Sequence, residues 1–176
     1  MPRPHDDDFV AFATASMPDL RRTGYLVCGD WHRAEDAAQE ALVRLYGAWD
    51  RVERREGLLA YARRSTVRVL IDESRRPWRR RETSSPMYDH DVVQSDPADG
   101  VLDRDAVVRG LAGLSPRRRA CLVLRYYQQL SVAETARVLG CSEGTVKSQT
   151  ADALRALRPL VGGTVPATTP TTRSRR

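Results

Sequence analysis

The residues most able to do chemistry in this chain lie at Arg75-Arg76-Pro77-Trp78-Arg79-Arg80-Arg81, where five arginines surround one tryptophan. Guanidinium groups neutralise phosphates, and an indole among them can stack on an unpaired base. The same run is also what a solvated charge cluster at a domain end looks like. A second constellation lies between residues 131 and 157. Ser131-Val-Ala-Glu134 has the spacing of a capping box and starts a helix. Gly140 ends that helix and Ser142 can cap the next. Ala136, Gly140 and Val146 then supply a small residue at a helix crossing, a glycine at the turn and a branched anchor. That combination predicts a helix-turn-helix. On its second helix Val146, Thr150, Ala153 and Leu157 point inward. Gly144, Ser148, Ala151, Asp152 and Arg155 point outward, with Lys147 and Gln149 at the flanks and Thr145 near the edge. Small and polar residues on an outer face suit a major groove.

Other chemistries find little support. His5, His32 and His90 have no nucleophile partner, and neither a Gly-rich phosphate loop nor a GxSxG elbow occurs. The chain is read as a non-enzyme without cofactors. Cys28, Cys121 and Cys141 are too scattered for a zinc ribbon or disulfide scaffold. Cys28 and His32 could share a helix face, but no second ligand pair accompanies them, so no metal is expected. All three cysteines are read as reduced thiols packed like small hydrophobes.

Helical spacing recurs along the chain and long period-two alternation does not, which predicts an all-helical protein. Ala34, Ala37, Ala38, Ala41, Leu42, Leu45 and Trp49 form one stripe. Asp36, Gln39, Glu40, Val43 and Gly47 lie opposite, as a solvated face or a docking surface. The next helix is expected from about Leu58 to Arg76, stopped by Pro77. Leu58, Tyr61, Ala62, Ser65 and Val69 form its inward stripe, while Arg64, Arg68 and Arg75 share another face, with Asp72 one turn from Arg68. Further on, Ser115 caps a helix with Pro116 at its first position. Arg117, Arg118 and Arg119 open that helix, either gripping phosphates or merely solvated. Cys121, Leu122, Leu124 and Tyr126 are its expected packing residues.

Charge divides the 176 residues into blocks. Residues 51–81 carry a net +7 and 107–160 a net +6, separated by 82–106 at −6. Two basic modules suggest two contacts with a polyanion. The stretch 82–100, with two prolines and a closing glycine, reads as a flexible acidic linker between domains at 9–81 and 101–160. The Gly/Pro/Thr-rich tail 161–176 is expected to be disordered. The acidic N-terminus is unlike a secretory signal, and no apolar run approaches membrane-span length, so no membrane contact and a cytoplasmic location are expected.

The stretch LSPRRRACLVLRYYQQLSVAETARVLGCSEGTVKS (114–148) resembles region 4 of an extracytoplasmic-function sigma factor. AEDAAQEALVRLYGAW (34–49) resembles the helix of regions 2.1–2.2, and LLAYARRSTVRVLIDESRRPWRRR (58–81) is similar, less closely, to regions 2.3–2.4. The resemblance implies a subunit that joins core RNA polymerase and directs it to promoter DNA. It implies that Asp36, Gln39 and Glu40 face the polymerase clamp helices. Tyr61, Arg64, Arg68, Arg75, Arg76 and Trp78 would recognise and help melt the −10 element. Thr145, Lys147, Ser148, Gln149, Ala151, Asp152 and Arg155 stand where the −35 element is read. Relatives often carry arginine where this chain has Gln149 and Asp152, and asparagine where it has Arg68. An anti-sigma factor is a further candidate partner.

The rival is a helix-turn-helix regulator acting independently of core polymerase. It explains 114–157 equally well but not the basic block with Trp78 or the Asp36/Gln39/Glu40 face. A helical adaptor binding only protein leaves both basic blocks without purpose.

Overall fold

The structure, a computed structural model, describes residues 6–52, 56–75 and 109–159. Helix α1 (Asp6–Cys28) opens on Asp6, Asp7 and Asp8, where carboxylates meet the positive end of the helix dipole. Gly29, at φ 72°, ends the helix. Asp30 then caps α2 (Trp31–Ala48) by accepting from the Arg33 N–H at 2.9 Å. Cys28 and His32 therefore sit on different helices, and the helix face they could have shared does not form. The Cys28 thiol instead donates to the Asp30 carbonyl at 3.1 Å.

All seven members of the Ala34–Trp49 stripe are buried. The small side chains matter because α1 and α2 nearly touch by their backbones. A Cβ placed on Gly24 would stand 2.9 Å from the Ala34 Cβ and 3.0 Å from its Cα. Phe9 and Phe12 of α1 close the far end against Trp49, with ring centroids 5.1 and 5.6 Å away. Helix α3 (Leu58–Ser74) completes the bundle and ends just before Arg75, slightly short of the expected Arg76. Leu58, Ala62 and Val69 are buried as their spacing predicts, but Tyr61 is 48% exposed. At its position the inward stripe has rotated past the bundle.

Residues 109–112 are helical and lead into α4 (Pro116–Leu122). Ser115 occupies the cap position, though its side chain makes no capping bond. The helix then widens into a π-turn at Val123–Tyr127. The extra residue in that turn shifts the register. Cys121, Leu122 and Leu124 are buried, whereas Tyr126, expected to pack with them, is 54% exposed. Helix α5 (Val132–Leu139) begins with the capping box in full: Ser131 Oγ accepts from the Glu134 N–H at 3.1 Å, and the Ser131 N–H donates to Glu134 Oε2 at 2.8 Å. Gly140 ends α5 at φ 60°, a left-handed conformation that suits glycine. Ser142 caps α6 (Glu143–Leu157) by accepting from the Thr145 N–H at 3.1 Å. Val146 and Ala153 are fully buried and fix which face of α6 turns outward.

The two halves share a core. Val27 and Ala37 meet Val67, Leu70 and Ile71 of α3, and Cys121, Leu124, Leu130 and Leu139 arrive from the C-terminal half. Arg68 Nη2 donates to the Arg137 carbonyl at 3.0 Å, and Arg75 Nη2 to the Leu139 carbonyl at 3.2 Å. Both carbonyls belong to the last turn of α5, where such groups lack partners within the helix. The architecture is all-helical, with no strand among the described residues.

Candidate nucleic-acid interface

On α6 the outward face is open. Gly144, Lys147, Ser148, Ala151 and Arg155 are exposed, while Thr145, Gln149 and Asp152 are half-buried. Thr145 is drawn toward the helix start, its hydroxyl 2.9 Å from Ser142 Oγ. Lys147, Ser148 and Ala151 thus form a small, polar surface that a groove can approach without steric conflict. Asp152 does not point at open solvent. Its Oδ1 accepts from Arg155 Nη1 at 2.8 Å and its Oδ2 from Arg118 Nη2 at 3.3 Å.

The arginine triplet at the start of α4 divides three ways. Arg117 is exposed and Arg118 reaches α6. Arg119 is buried, donating to the Ala112 carbonyl at 3.0 Å. It is neither solvated nor available to phosphate, which corrects the reading of the three as one group. Its spacing carried the signal: Arg119 stands three residues before Leu122, on the stripe that faces inward. Arg118 did not stand out in the sequence because its partner lies 34 residues away.

The arginines of α3 are differently placed. Tyr61, Arg68 and Arg75 are exposed and Arg64 is half-buried. Asp72 pairs with Arg75 at 3.7 Å and not with Arg68, which is turned toward α5. Arg63, not singled out by the sequence, forms a two-pronged pair with Asp19 at 2.5 and 2.8 Å that ties α3 to α1. The Asp19 carboxylate raises the Arg63 pKa further. Arg76 and Trp78 lie outside the described residues, as do the linker 82–100 and the tail.

A third surface lies on α2. Asp36, Gln39 and Glu40 are exposed together, beside Val43 at 69% exposure and Gly47. Glu40 is bridged by Arg44 one turn on.

Cys28 and Cys121 are both pushed up to about 11, chiefly by burial. At neutral pH these thiols stay protonated and unreactive. Among the described residues, no group of three His, Cys, Asp or Glu side chains could hold a metal ion. No helix of the described residues is long and apolar enough to cross a membrane.

Two helical modules, one presenting a helix-turn-helix with a polar outer face, define a DNA-binding protein of transcription. Residues 12–80 match the family model Sigma-70 region 2, and residues 104–157 match Sigma-70, region 4. The chain is 34% identical over 153 residues to the RNA polymerase sigma-E factor of Streptomyces avermitilis, spanning 86% of this chain and 83% of that one. It is 36% identical over 149 residues to the ECF RNA polymerase sigma factor SigL of Mycobacterium tuberculosis, spanning 79% and 80%. Among solved structures it is similar in fold to the sigma factor RpoE of Bartonella quintana, solved with the anti-sigma factor NepR. That likeness has a TM-score of 0.64 and 24% identity, and covers 87% of this chain and 96% of the other. The chain belongs to the sigma-70 family, in its extracytoplasmic-function class. It acts with core RNA polymerase and directs initiation at promoter DNA, a role in which sigma factors are not enzymes.

Proposed function

We propose that the work is divided between the two modules as their charge and exposure suggest. The segment 9–81 meets polymerase through Asp36, Gln39 and Glu40. It meets the −10 element through Tyr61, Arg64, Arg68, Arg75, Arg76 and Trp78. The segment 101–160 meets the −35 element through Thr145, Lys147, Ser148, Gln149, Ala151, Asp152 and Arg155, and 82–100 links the two. The protein works in the cytoplasm, and an anti-sigma factor, such as the Bartonella relative has, is a further partner.

The observation that carries this reading is the pairing of two independent exposed surfaces. The polar face of α6 suits DNA, and the acidic, valine-bearing face of α2 suits protein. An independently acting regulator uses the first and has no need of the second. Purified chain with core enzyme should initiate at a defined promoter, while the chain alone shows no comparable site preference. Tight, dimeric, palindrome-specific binding by the free chain would overturn the reading in favour of the regulator. Replacing Asp36, Gln39 and Glu40 with Ala should weaken core binding and leave helicity intact, since alanine is the best helix former. Unchanged affinity in a pull-down titration removes the docking role.

A further inference from the structure

Asp152 is an acid on the helix face assigned to a polyanion, and its surroundings decide what it is for. Both carboxylate oxygens are engaged, Oδ1 by Arg155 and Oδ2 by Arg118. The carboxylate side chain is 32% exposed, against 41% for Arg118 and 76% for Arg155. The acid is thus the sheltered member and the two cations are the outer ones. Two guanidiniums around one carboxylate leave the cluster a net cation, which argues against simple repulsion of DNA. Guanidiniums on both oxygens also partly cover the carboxylate, which disfavours the contact with cytosine N4 that base reading would need.

Position along the helix points the same way. Asp152 lies nine residues beyond Glu143, about 13.5 Å along the axis at 1.5 Å per residue. Recognition helices contact bases with their N-terminal residues, and the major groove is about 12 Å wide. Lys147 and Ser148 lie in the first turns of α6, where a recognition helix contacts bases, and Asp152 and Arg155 lie farther along it.

We propose that Asp152 is a positioning residue whose carboxylate holds Arg118 of α4 and Arg155 of α6 as a phosphate grip drawn from two helices, so that DNA contact extends onto α4. The proposal rests on the reading of α6 as the −35 helix. Each guanidinium carries five N–H donors in a fixed fork, so pairing with Asp152 fixes its direction and leaves donors for a phosphate.

The test uses the full chain assembled with core RNA polymerase. Its probe is a DNA duplex of fixed flanks with a randomised hexamer at the −35 position, from which preferred and single-base-variant duplexes are titrated over a range of salt. Arg118→Ala should weaken binding about tenfold on every duplex alike, the loss of roughly one charge-assisted hydrogen bond. Its salt slope should become shallower by about 0.9, the value of one phosphate. Asp152→Ala should also weaken all duplexes alike, and adding Arg118→Ala to it should cost at most about twofold more. Arg118→Lys keeps the charge without the fork, so it should retain the salt slope and lose part of the affinity. Uniform tightening by Asp152→Ala overturns the proposal, because it means repulsion. A loss confined to one or two base pairs overturns it as well, because it means base reading. So does an Arg118→Ala effect of the same size with and without Asp152. A wild-type holoenzyme that selects no preferred hexamer overturns the −35 reading and the grip with it, whereas a selective wild type with discordant variants overturns the grip alone. Both residues are partly exposed, and unchanged thermal melting of each variant separates these outcomes from misfolding.

Discussion

The N-terminal bundle and helix α6 use their cations in different ways. In the N-terminal bundle, arginines are tied to the protein itself: Arg63 to Asp19, Arg33 to Glu73, Arg21 to Glu35, and Arg68 and Arg75 to carbonyls of α5. On α6, Lys147 and Arg155 stand in solvent, and only Arg155 is held, by an acid on its own helix. Segment charge counts groups without regard to where they point. The block 51–81, at +7, looks in sequence like the stronger polyanion site. In the fold, two of its aligned arginines instead cap the last turn of a neighbouring helix. Contact between DNA and Arg68 or Arg75 is therefore left to the donors that the carbonyls do not hold.

The largest way to break this comparison is to disrupt the bundle that holds the committed arginines. Gly24→Val would drive a branched side chain into Ala34, whose Cβ, Cα and carbonyl oxygen already stand 2.9, 3.0 and 3.2 Å from an ideal Cβ. Two of these three atoms are backbone and cannot rotate away. The expected cost is about 3 kcal/mol, read by chemical denaturation. A loss under 1 kcal/mol would mean that α1 and α2 separate easily.

A smaller change tests the contact between the halves. Arg68→Ala with Arg75→Ala removes donors from the end of α5, at about 1–2 kcal/mol for exposed charged donors to carbonyls. Cys121, 1% exposed in the shared core, is the reporter. Burial holds its thiol near 11, so maleimide labelling of the wild type should be slow and should quicken as pH rises toward that value. The double variant should label roughly tenfold faster at a given pH, the rate factor equivalent to about 1.4 kcal/mol. An unchanged rate would assign the contact to the apolar core alone.

Legibility in the sequence follows the same division. Where a helix buries one face and leaves the other in solvent, periodicity suffices: the Ala34–Trp49 stripe, its exposed opposite face and the inward Val146 and Ala153 of α6 can all be read directly. Where a helix meets neighbours on two sides, it does not. Helix α3 packs on α1 and α2 and also on the C-terminal half, so Val67, Leu70 and Ile71 are buried outside the predicted stripe while Tyr61 on it is exposed. The π-turn at Val123–Tyr127 defeats a 3.6-residue count in the same way, moving Tyr126 outward. Long-range pairs such as Arg118 with Asp152 leave no local trace at all.

The smallest effect, and the one that sharpens the contrast most cleanly, concerns the start of α5, where the capping bonds are local. Ser131→Ala deletes the acceptor for the Glu134 N–H and should cost about 1 kcal/mol. The same box lowers the Glu134 pKa below its ordinary value, first through the Ser131 side chain and then through the Ser131 N–H. The sign of the pH effect follows from that direction. An acid whose folded pKa is depressed binds fewer protons folded than unfolded, so its contribution is complete above the ordinary glutamate value of 4.5 and fades as pH falls through the lower folded value. Glu134→Gln should leave a neutral acceptor in place and remove this acid-side loss, so its melting temperature should fall less than that of wild type between neutral pH and the acid range. Because Glu134 is largely solvated, the difference should be small and should shrink further in high salt. If the two melting curves fall in parallel, the capping box is a neutral hydrogen-bond pair and its charge contributes nothing to holding the first helix of the helix-turn-helix.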